Sequence, residues 1–264
     1  MQKVLRPLSL GDLFDEVFDL YKRNFLLFVV ISSILYLPYI WVILTHTSSA
    51  ANSHSASSAN SAGYIWLVAI LLSMPMSFVL TGATTQAVST CYIGRKPTII
   101  AAYKSVFPKL IPLTIASIIT CILIFVGCVL CIIPGIYAAV FTSFVPQIII
   151  LENMSCINSI KRSYTLTSSH RGRVFVVMFL TLFVGFVLRL VTTAPFLILE
   201  SLGIVTKSLA TQSLQVCVQA LVASIVHPIS LLAFVVLYYD VRVRKEGFDI
   251  HLLAQNMTDS QNNS

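Results

Sequence analysis

Six stretches of the chain, at 25–44, 64–88, 109–130, 133–151, 174–199 and 214–239, each run about 20 residues or more with almost no charge. A helix rises about 1.5 Å per residue, so each can cross the roughly 30 Å hydrocarbon core of a bilayer. Inside that core no water satisfies backbone N–H and C=O groups, so a lone spanning segment must be helical. The pattern predicts an all-α integral membrane bundle of six transmembrane helices. Composition agrees: 57% of residues are hydrophobic and only 10% charged, against about 25% charged in soluble domains. A second, soluble domain has little room.

Lys and Arg set the sidedness. Lys3, Arg6, Lys22 and Arg23 precede the first span. Arg95, Lys96, Lys104 and Lys109 fall between the second and third. Lys161, Arg162, Arg171 and Arg173 lie between the fourth and fifth, and Arg242, Arg244 and Lys245 follow the sixth. The opposite side holds only Lys207, and Arg189 lies within the fifth span. Both termini are therefore expected in the cytoplasm. On this reading 1–24 is a cytoplasmic amphipathic lead-in, 25–239 the membrane domain, and 240–264 a basic exit with a disordered tail. The net charge of +7 marks membrane sides and implies no nucleic-acid partner. The first apolar run sits behind a charged segment and lacks a small-residue cleavage site, so it reads as a span rather than a signal peptide. THTSSAANSHSASSANSAG, between the first two spans, cannot bury enough apolar area to fold. Pro134 and Gly135, in CIIPG between the third and fourth, favour a tight turn.

The lead-in SLGDLFDEVFDLYKRNF has the rhythm of a soluble helix. Leu10, Leu13, Phe14, Val17, Phe18 and Tyr21 share one face; Asp12, Asp15, Glu16, Asp19, Lys22 and Arg23 take the other. Ser9 with Asp12 forms a capping-box-like start. Such a helix is expected at the membrane surface, apolar face down. Its polar face is mainly acidic, so packing on the protein's own cytoplasmic face is expected too. TIIAAYKSVFPKL and ENMSCINSIKRSYTL repeat the plan before spans three and five. Tyr103 and Pro134 stand 31 residues apart, as do Tyr164 and Pro195. These matches predict three units of surface helix, span, turn and span.

RPLSLGDLFDEVFDLYKRNF, IPGIYAAVFTSFVPQIIILENMSCINSIKRSYTLTSSHRGRVF and PISLLAFVVLYYDVRVRKEGFDIHLL together carry a family likeness. The chain resembles the membrane domain that precedes some bacterial glycerophosphodiester phosphodiesterases, and its stand-alone relatives. The matching positions are Pro134, Gly135, Pro146, Glu152, Ser163, Arg173, Tyr239, Asp240 and Arg242. The metal-binding His, Glu and Asp set of those enzymes' catalytic barrel has no counterpart in this sequence. The resemblance thus implies a non-enzymatic membrane module of the bacterial cytoplasmic membrane.

Arg189 is the outstanding candidate for function, because a charge deep in a span is costly. Gln212, Gln215 and Gln219 lie on one face of the sixth span, with His227 two turns further on. Arg189, Gln212, Gln215, Gln219 and His227 are expected to form a polar seam between the last two spans. Lys22, Arg23, Lys161, Arg162, Arg242, Arg244 and Lys245 are expected to meet anionic headgroups or a protein partner. Glu152, Glu200 and Asp240, at span ends, read as members of local ion pairs. The six cysteines read as small packing residues, and Cys128 with Cys131 makes only a lone C-x-x-C. No nucleophile, metal or phosphate-loop motif is present, so neither metal nor cofactor is expected. Two functions stay open: a membrane scaffold that binds a cytoplasmic or membrane protein, and a transporter or lipid-handling protein working through the seam.

Overall fold

A computed structural model of the chain describes residues 8–34, 77–91, 97–204 and 208–246. Those residues are predominantly helical, with no strand among them. In order the helices are α1 (Leu10–Arg23), α2 (Phe25–Ile34), α3 (77–91), α4 (Ile99–Val106), α5 (Leu110–Leu130), α6 (Ile132–Thr142), α7 (Val145–Glu152), α8 (Cys156–Thr167), α9 (Arg171–Ser201) and α10 (Leu209–Glu246). Four runs are long and apolar enough to cross a membrane: α4 with α5, α6 with α7, α9, and α10. Of the expected spans 25–44 and 64–88, only 25–34 and 77–88 lie within the described residues. The Ser/Ala/Asn tract and the C-terminal tail lie outside them.

The second half of α10 is the central pillar. Leu232, Ala233, Val235, Val236, Leu237, Tyr238 and Val241 are all buried. Burial on every side is what an apolar core helix needs, in contrast to the one-faced stripe of a surface helix. Around it, α5 and α9 turn large apolar side chains outward: Ile111, Ile118, Ile122 and Phe125 on α5, and Phe179, Leu182, Phe183 and Phe186 on α9. A face this apolar and this long would not survive in water; lipid is its natural solvent.

α1 begins with the expected capping box. The Ser9 hydroxyl accepts from the Asp12 N–H, and the Asp12 carboxylate accepts from the Ser9 N–H, both at 3.1 Å. Leu13, Val17 and Tyr21 bury its apolar face, and each such side chain contributes roughly 1.5–3 kcal/mol. Two contacts with α10 set its direction. Leu8 sits beside Asp240, and the Tyr21 hydroxyl donates to the Ile225 carbonyl at 2.6 Å. Those two α10 positions are about 22 Å apart along the helix. α1 therefore runs alongside α10 in the opposite direction instead of lying across its end. Its apolar stripe found a better surface in the pillar than in lipid.

α5 and α6 form a tight hairpin, but its turn lies at Cys131, whose backbone is extended, and not at Pro134–Gly135. Pro134 fits the first turn of α6 because an N–H there would have no intrahelical acceptor, so no hydrogen bond is lost. Gly135 serves packing. A Cβ there would lie 2.3 Å from Cys128 Sγ, and one on Gly127 would lie 2.8 Å from Gly135 Cα. The expected fourth span, 133–151, is not one helix. It breaks at Ser143–Phe144, just before Pro146, into α6 and α7. Pro146 cannot donate, and it disfavours helix at the residue before it. Ser163 of α8 fills the gap: its hydroxyl donates to the Phe141 carbonyl at 2.6 Å and accepts from the Phe144 N–H at 3.3 Å.

Candidate functional site

α9 and α10 lie antiparallel, pinned in register at two points. Arg173 Nε meets an Asp240 oxygen at 2.9 Å, and the Gln219 amide donates to the Thr193 hydroxyl at 3.2 Å. These anchors are about 20 residues apart on each helix, or about 30 Å. Between them the helices part around a cleft of about 380 Å³. Small residues on both faces, Gly185 on α9 and Ala220 and Ala223 on α10, leave the space. Its polar lining is Arg189, Thr192, Gln219, His227 and Ser230.

Three of the five expected seam residues thus share one cleft: Arg189, Gln219 and His227. Gln215 does not line it, and the Gln212 side chain lies outside the described residues. Thr192, Thr193 and Ser230 complete the polar set; their hydroxyls were hidden because Thr and Ser in apolar runs usually bond their own helix, as Thr192 does to Leu188. Arg189 is about 24 Å along α9 from Arg173. Among the described residues no carboxylate pairs with its guanidinium.

A second space, of about 600 Å³, opens where α6 breaks into α7. Met178, Leu231, Phe234, Ile124 and Phe125 make it overwhelmingly apolar. It touches the seam only at its edge, through Met178, Leu231 and Phe234. Met178 and Gly185 are two turns apart on one face of α9, and Val226, Ser230 and Phe234 follow each other on one face of α10. The polar cleft thus lies between α9 and α10, whereas the apolar cavity is lined mainly by α3, α5, α6 and α7, with Met178, Leu231 and Phe234 bordering it from α9 and α10.

The charged ends of the helices form a cap with two carboxylate centres. Asp240, whose side chain is fully buried, meets Arg173 and Arg244 at 2.9 and 3.1 Å and accepts from the Leu8 N–H at 2.7 Å. Both arginines also donate to the Leu8 carbonyl, at 2.5 and 2.6 Å. One peptide position ahead of α1 is thus gripped by both its donor and its acceptor. Glu152 accepts from Arg162 at 3.1 Å and from the Tyr238 hydroxyl at 2.5 Å, with Arg242 at 3.8 Å. Arg162 and Arg242 both also pair with Glu246. Burial works against the Arg162 charge, but the Glu152 and Glu246 carboxylates outweigh it and raise its pKa.

Several of the basic residues expected at headgroups or a partner have partners within the chain. Arg162, Arg242 and Arg244 spend their charge on internal carboxylates. Lys245 donates to the Thr165 carbonyl and the Ser168 hydroxyl. Arg23 pairs with Asp19 at the surface, at 3.0 Å; Lys22 and Lys161 are exposed. The Asp240–Arg244 pair, four residues apart, was legible in the sequence, whereas Arg173, Tyr238 and the Leu8 backbone were not. Their roles arise only when distant segments meet.

The six cysteines are free thiols. Among the described residues no three His, Cys, Asp or Glu side chains gather in a metal-binding group. No curated protein and no solved structure matches the chain. One family does match, over residues 61–241. That stretch is more than half of the chain and takes in α3 to α10 as far as the Asp240 centre. The chain belongs to the family described as domain of unknown function DUF7847.

Proposed function

We propose that this protein is a non-enzymatic, multi-pass membrane protein that holds an amphiphile between its last two helices. The observation that carries the reading is the cleft between α9 and α10 lined by Arg189, with an apolar cavity that Met178 and Phe234, on the same helix faces, border. Head and tail of a lipid need those two solvents in that order. The test is exhaustive detergent exchange, then solvent extraction and lipid analysis. About one tightly held lipid per chain is expected; a residue-free protein contradicts the reading.

The architecture proposed with it has six spans, both termini in the cytoplasm, and residence in the bacterial cytoplasmic membrane. Three contacts support a three-unit plan closed head to tail. Tyr21, ahead of the first span, reaches Ile225 in the last. Tyr103, ahead of the third, donates to the Ile31 carbonyl of the first at 2.7 Å. Tyr164, ahead of the fifth, packs edge-on against Phe141 of the fourth at 5.8 Å. Each unit's short helix thus rests on a span of the unit before it.

A scaffold role is the second reading, favoured by α1. The Leu8 grip and the buried stripe fix its outer face, with Asp12, Asp15 and Asp19, in one register. The resemblance to a module that precedes soluble enzymes points the same way. A photo-crosslinking residue at Asp15 should then yield a protein adduct in cells, and adducts with lipid alone contradict it.

A further inference from the structure

We infer that the amphiphile is an anionic phospholipid whose phosphate is held by Arg189, an assignment that rests on the lipid-handling reading above. The guanidinium offers a planar fork of N–H donors that matches phosphate oxygens. The Gln219 amide, Thr192 hydroxyl and His227 imidazole line the same cleft. No described carboxylate competes for the Arg189 charge. A volume of about 380 Å³ equals roughly a dozen waters, enough for a phosphate and glycerol but not for acyl chains.

Arg189 stands about 24 Å along α9 from Arg173, within a long apolar helix. No described carboxylate pairs with it, and a guanidinium in such a helix is costly without an anion; a lipid phosphate supplies one. Met178 and Phe234 border the apolar cavity that the chains would enter.

Two variants separate the parts of the claim. Arg189→Gln removes the charge. Gly185→Leu fills the cleft and leaves every polar group in place; a Cβ at Gly185 meets nothing within 4 Å, so the backbone accepts it. Both proteins are placed in nanodiscs of equal phosphatidylglycerol and phosphatidylcholine, released, and weighed by native mass spectrometry. The wild-type protein should keep one phosphatidylglycerol, with at least tenfold preference over phosphatidylcholine. Each variant should lose that adduct at least tenfold. Inorganic phosphate at millimolar concentration should not displace it. Equal retention of both lipids, lost in Gly185→Leu, overturns the anionic-lipid assignment and leaves the lipid-handling reading standing; loss in Gly185→Leu but not in Arg189→Gln overturns the phosphate contact with Arg189. No retained lipid at all overturns both. Retention unchanged in the two variants moves the lipid out of this cleft, and displacement by phosphate makes the ligand a free anion.

Discussion

Asp240 is the keystone of the cap, and its removal has a predictable size. Its side chain is fully buried, while the partners Arg173 and Arg244 are 16% and 28% exposed. Removing one member of a buried pair costs about 3–5 kcal/mol, because the other charge stays buried without compensation. Asp240→Ala strands Arg173 and leaves the Leu8 N–H without its acceptor, so a loss of about 4 kcal/mol is expected. Asp240→Asn keeps an acceptor for Leu8 and should lose about half as much. A double-mutant cycle with Arg173→Met should give a coupling above about 1 kcal/mol. The cycle with the more exposed Arg244 should give less. Equilibrium unfolding in mixed micelles measures the totals. Amide exchange across α1 measures the mechanism, since loss of the Leu8 grip should expose the 13–21 amides before global unfolding. The reasoning fails if Asp240→Ala costs under about 1 kcal/mol, or if α1 exchange is unchanged while the rest of the protein is destabilised.

Gly135→Ala should destabilise by at least about 1–3 kcal/mol, because Cys128 backbone as well as its sulfur stands in the way; a thermal melt and a lost α5–α6 crosslink check it. Ser163→Ala should cost about 1–2 kcal/mol by leaving the Phe144 N–H at the helix break unsatisfied, and exchange at the first amides of α7 should rise. His170 predicts a pH dependence. Burial first, then the Arg244, Arg173 and Lys245 cations, hold its pKa below 6.5 against the pull of Asp240. The unfolded chain then protonates before the folded one, so stability is full above about pH 6.5 and falls as pH drops below it. His170→Gln should flatten that slope in pH-dependent melts.

Much of this fold is legible in the sequence because lipid imposes length and hydropathy on every spanning helix. α5, α9 and α10 follow from apolar runs, and the start of α1 follows from Ser9 and Asp12. What stays hidden is where helices meet. The periodicity of α1 fixes its buried stripe but not the surface it chooses, and α10 competes successfully with lipid. Pro146 announces a break, yet proline also sits unbroken within α9 and α10 at Pro195 and Pro228. Only Ser163, reaching in from α8, makes the interruption at Phe144 tolerable. The seam was readable in part because Arg, Gln and His are rare in spans. The small residues that open it, Gly185, Ala220 and Ala223, carry no such signal. A lysine or arginine at a span end looks the same in sequence whether it faces a headgroup or a buried carboxylate, so the ion pairs of the cap carry no signal of their own.

The most direct test of the central claim is a cryo-electron microscopy map of the protein in nanodiscs containing phosphatidylglycerol. The account predicts density for a phosphate against the Arg189 guanidinium, continuing as a chain toward Met178 and Phe234. A seam closed by contact between Leu188 and Ala223, with no density beside Arg189, would contradict it.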